Sequence, residues 1–123
     1  MKYKDVSEVL SRVSDTTEFL GIDLVDVNQA GIFGNTPLAV VITWGDYEAA
    51  SKLIEGGADV NARIENNETA LHRAVQFDSP SIVELLLNGG ADIGLKDVFG
   101  ATPLDDARRL DDEIILELLR FRP

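Results

Sequence analysis

VNARIENNETALHRAVQFDSPSIVELLLNGGAD, residues 60–92, is the stretch from which the rest of the chain can be read. Shifted by thirty-three positions it falls on residues 27–59 with nine identities, from Val27/Val60 and Asn28/Asn61 through Thr36/Thr69 to Gly57/Gly90 and Asp59/Asp92. A third copy begins at Ile93 and keeps Gly100, Thr102, Pro103, Leu104 and Leu119 in register. Self-similarity at a fixed period of this length marks units that cannot bury their apolar faces alone and must stack.

Within each unit the residues punctuate two helices. Thr36, Thr69 and Thr102 stand where a side-chain oxygen can accept from an orphan amide of a first turn. Pro37 and Pro103 take the first helical position, where a missing donor costs nothing. Gly45 separates the two helices of the first copy, whereas Asp78 and Ser79 cap the second helix of the next copy and Pro80 starts it. Gly56-Gly57 and Gly89-Gly90 end the second helices, because glycine accepts a left-handed C-terminal cap. Asn67 stands in for Gly34 and Gly100, a position where asparagine tolerates positive φ. The expected core is Leu38, Val41, Leu53 and Ile54, then Leu71, Ala74, Ile82, Val83, Leu86 and Leu87.

TPL at 36–38 and 102–104, TALH at 69–72 and GGAD at 56–59 and 89–92 resemble the ankyrin repeat. The resemblance implies an all-α solenoid of stacked helix-turn-helix units joined by short β-hairpin fingers. It divides the chain into an N-terminal helical cap at 1–26 and three repeats at 27–59, 60–92 and 93–123. In the cap, Val6, Val9, Leu10 and Val13 recur at helical spacing. Ser14 and Asp15 offer a cap for a second short helix, whose apolar side would cover Val40, Val41 and Leu53. In the third repeat Asp106, Arg108 and Arg120 replace Val40, Ile42 and Ile54, the polar outer face expected of a terminal repeat that closes the stack.

The chain holds 123 residues, 45% of them hydrophobic, the proportions of one soluble domain. No run of eighteen apolar residues and no leader pattern is found, and there is no cysteine, which suits a cytoplasmic, reducing location. A net charge of -11 disfavours nucleic acid and anionic membrane as ligands and favours a basic partner.

Little supports catalysis. His72 lies in TALH, where the resemblance implies a histidine that bonds neighbouring backbone; a single imidazole with no cysteine makes a poor metal site. The acids Asp105, Asp106, Asp111, Asp112 and Glu113 are interrupted by Arg108 and Arg109 and lack a glycine-punctuated calcium loop. No phosphate loop and no nucleophile elbow occurs. The expectation is a non-enzyme with no metal and no cofactor.

The resemblance also implies where a partner lies, in a groove between the finger tips and the exposed side of the first helices. Its expected residues are Ile32, Phe33, Ile64, Glu65, Val98 and Phe99 on the fingers, with Trp44, Phe77 and Leu110 at the ends of the first helices. Apolar side chains at these exposed positions mark an interface rather than a requirement of folding. The expected role is a non-catalytic module, monomeric when free, that binds another protein as an acidic inhibitor or immunity partner of a basic toxin or enzyme. The alternative is a general adaptor or a self-associating scaffold.

Overall fold

The computed structural model describes residues 2–120; the last residues assigned above to the third repeat, 121–123, lie outside them. Among the described residues there are seven α-helices and no strand. After α1 (Val6–Ser14) come three antiparallel pairs: α2 (Pro37–Thr43) with α3 (Tyr47–Glu55), α4 (Ala70–Gln76) with α5 (Pro80–Asn88), and α6 (Pro103–Leu110) with α7 (Glu113–Arg120). Packing runs in two layers: α2 on α4 on α6 in one, α1 on α3 on α5 on α7 in the other.

The core lies between these layers. Leu38, Val41, Leu53, Leu71, Ala74, Ile82, Val83 and Leu86 are buried as expected, and Ile115 and Leu119 continue the row in the last pair. Ile54 and Leu87 pack only partly into it. Thr36, Thr69 and Thr102 cap α2, α4 and α6 through their hydroxyls. Gly45, Asp78 and Asp111 occupy one register position and all adopt positive φ, at 68°, 50° and 55°. This left-handed residue makes the turn between paired helices, and Ser79 caps α5 without a side-chain bond. Asn67, at φ 58°, follows the path of Gly34 and Gly100.

Asparagines join the start of each of the first two units to the end of its second helix. Asn28 Nδ2 donates to the Gly57 carbonyl (3.1 Å) while its Oδ1 accepts from the Asp59 amide (2.7 Å). Asn61 repeats both bonds with Gly90 and Asp92.

Three expectations change. The fingers are closed loops rather than β-hairpins: Gly31, Ile64 and Asp97 donate to the carbonyls of Asn35, Glu68 and Ala101 at 2.8 to 2.9 Å. The N-terminal element is one α-helix followed by a single 3-10 turn, Thr17–Phe19; Ser14 ends α1 and Asp15 is its C-cap. Asp106 does not sit on an outer face but is buried, because it faces the neighbouring helix α4, where Gln76 donates to its carboxylate. Arg108 and Arg120 are exposed.

The N-terminal element is pinned to α3 by charge as well as by the packing of α1 against it. Glu48 accepts the backbone amides of Lys2 (3.1 Å) and Tyr3 (2.7 Å), and Asp46 accepts the Tyr3 hydroxyl (2.6 Å) and Lys2 Nζ (2.8 Å). The Tyr3 ring is buried, with the Arg12 guanidinium 6.0 Å from its centre.

Candidate functional site: the groove beside the fingers

A chain of polar side chains runs from finger to finger over the first helices. Asn35 Nδ2 donates to Glu18 Oε1 (2.8 Å) and to Glu65 Oε1 (3.1 Å), and its Oδ1 accepts from Arg73 Nη2 (3.2 Å). Arg73 Nε stands 3.7 Å from Glu68. Gln76 then links Glu68 (3.0 Å) to Asp106 (3.1 Å), and Arg109 lies 3.7 Å from Asp106. One connected network thus spans the N-terminal element and all three helix pairs, fixing the backbone on which the exposed apolar residues stand.

Those residues occupy a regular row. Trp44 closes α2, Phe77 closes α4 and Leu110 ends α6, and they are 42%, 47% and 45% exposed. Identical register gives near-identical exposure. At the finger tips Ile32, Phe33, Val98 and Phe99 are exposed, and Glu65 is exposed on the middle finger.

Ile64 departs from its expected place at a tip, being only 6% exposed. It shares register with Gly31 and Asp97, the residues whose amides close the fingers, so its side chain turns into the base and cannot face a partner.

Glu18 was not singled out by the sequence and yet organises the first finger. Its carboxylate is buried and accepts the amides of Phe33 (2.8 Å) and Asn35 (3.2 Å), while its carbonyl accepts the amide of Ile32 (2.8 Å). Glycine is required opposite it, since a Cβ on Gly31 would lie 2.4 Å from Glu18 Cγ. Only the glycine at 31, where the next repeat has isoleucine, hints at this contact.

A cavity of about 480 Å³ opens at this end of the groove, lined by Phe33 and Trp44, by Asn35, Val40 and Arg73, and by residues 15–18.

His72, Asp97 and Asp106 each bring one possible ligand atom within 4.8 Å of the others. All three are already engaged. His72 Nδ1 accepts the Thr69 amide (3.0 Å), which leaves Nε2 as the N–H that donates to the Ala101 carbonyl (2.9 Å). Asp97 accepts the amides of Phe99 and Ala101, and Asp106 accepts Gln76. The buried imidazole thus joins α4 to the third finger, and a cation would have to break these bonds to enter.

A family model for ankyrin repeats, in three copies, matches residues 9–97. The chain belongs to the ankyrin-repeat family. The matched residues begin inside α1 and end at the base of the third finger. No curated protein matches the chain. Ankyrin repeats bind other proteins and the family is in general non-catalytic, so this ankyrin fold is that of a protein-protein interaction module. No helix among the described residues is long and apolar enough to cross a membrane.

Proposed function

We propose that this ankyrin-repeat protein binds one partner protein through the groove beside its fingers, and that the partner is basic. The observation that supports this most is the row of Trp44, Phe77 and Leu110, half exposed at one register position in successive repeats. Folding asks for no apolar group there, whereas large apolar side chains that become buried on binding carry most of an interface's free energy. Ile32, Phe33, Glu65, Val98 and Phe99 border the same surface, and a net charge of -11 draws cationic proteins toward it. This chemistry suits an inhibitor, such as an immunity protein, that occupies a basic toxin or enzyme in the cytoplasm.

The test is capture from native extract by wild-type protein and by the Phe33→Ala, Trp44→Ala double variant. A partner held at full affinity by the folded double variant sinks the groove reading. With a purified basic partner, the association rate should fall steeply as salt rises, since fields between exposed charges decay over about 8 Å at physiological ionic strength. A second reading, pairing with another copy, draws on the 84% exposure of Phe99 and the 64% exposure of Ile114. It predicts an apparent mass that rises with concentration, where the leading reading predicts a monomer.

A further inference from the structure

We propose that the cavity between Phe33 and Trp44 is a seat for an arginine side chain of the partner, a proposal that rests on the groove reading above. Two aromatic rings wall it, both about half exposed, and a guanidinium plane stacks favourably on such faces. At about 480 Å³ the space is ample for one extended arginine side chain and too open to retain a small apolar one.

The charge around the cavity has one sign in excess. Asp15 and Glu18 line it, and Glu65 and Glu68 are tied to two other lining residues, Asn35 and Arg73. Two carboxylates, Asp15 and Glu18, line the cavity with a single cation, Arg73, whose guanidinium is already directed at Glu68 and Asn35. Glu18 spends its oxygens on the first finger. Asp15 is different: it is exposed, and among the described residues its carboxylate has no hydrogen-bond partner. An arginine entering along the rings would meet that carboxylate with donors matched to it.

An anionic or purely apolar occupant fits less well, the first because it would meet the carboxylates and the second because the Asp15 carboxylate would lose water without compensation. The seat also explains why the polar network below must be complete. With Arg73 neutralised from beneath, the surplus negative charge is left to the incoming group.

Trp44 is the only tryptophan, so its fluorescence reports on this site alone. The probe is the blocked tripeptide Ac-Gly-Arg-Gly-NH2, compared at matched ionic strength with the uncharged isostere in which citrulline replaces arginine. The arginine peptide should perturb Trp44 fluorescence and the Asn35 and Phe33 amide resonances saturably, with the citrulline peptide weaker by about five-fold or more. Asp15→Asn should weaken the arginine peptide without changing the urea midpoint. Equal responses to both peptides, or resonance shifts that survive Trp44→Ala, would overturn the seat. Failure of the groove reading shows separately: there, Phe77→Ala with Leu110→Ala, away from this cavity, leaves capture of the partner protein unchanged.

Discussion

At the scale of single residues, His72 shows how a repeat motif becomes tertiary structure. Its ring is wholly buried, with Nδ1 holding the start of α4 and Nε2 holding the third finger. Removing it strands the Thr69 amide and the Ala101 carbonyl, each at about 1–3 kcal/mol when buried and unpaired. His72→Ala should therefore lower the urea midpoint markedly and leave the slope unchanged. Asp78 illustrates the opposite case. It holds positive φ beside Asp112, and its hydrogen bond with that second carboxyl, then the repulsion between them, raise its pKa above 3.8. A raised folded-state pKa gives stability that is present below the unfolded value and lost as pH rises through the folded one. Asp78→Asn keeps a side chain that tolerates the left-handed turn and removes the repulsion. It should be more stable than wild type at pH 7, with the difference vanishing below about pH 3.8.

Among the elements, the first finger carries the clearest prediction. Glu18 receives three donors from residues 33 and 35, so Glu18→Ala should cost about 1–3 kcal/mol and speed hydrogen exchange at the Phe33 and Asn35 amides before any other finger. Gly31→Ala should produce the same pattern, as its new methyl would strike Glu18. The helices themselves were legible because their signals are local: a threonine before each first helix and a glycine pair after two of the second helices decide where chains turn whatever surrounds them. The regular row at Trp44, Phe77 and Leu110 was legible from register alone. What escaped was set by distant partners. Glu18 looks like any surface glutamate until the first finger folds onto it, and Ile64 looks like a tip residue until finger closure shows its position to be a base. Likewise, the polar break at 14–17 reads as a helix start, but Ser14 and Asp15 close α1 and only the short 3-10 turn Thr17–Phe19 follows.

Taken as one body, the molecule has a core that continues through all the helix pairs, so damage in the middle is felt at both ends. Leu86 is fully buried in that core, and Leu86→Ala should destabilise the protein by about 2–5 kcal/mol. Acid should loosen the N-terminal edge. Burial raises the Asp46 pKa, but bonds from Lys2, Tyr3 and Ala49 outweigh it and bring it below 3.8, while the Tyr3 and Lys2 amides lower that of Glu48 below 4.5. Depressed carboxyls give stability that is present above their unfolded values and lost as pH falls through the folded ones. Tyr3 should therefore become solvent-accessible on acidification below about pH 4 while the Trp44 environment is still native, a sequence that tyrosine and tryptophan fluorescence can resolve. The asparagine pair at 28 and 61 bears on lengthening the protein by design. Glycine fills the corresponding place at 94, so an extra unit grafted behind α7 would arrive without the amide clasp that holds the other two. Gly94→Asn is the change that would let such a graft lock onto its neighbour.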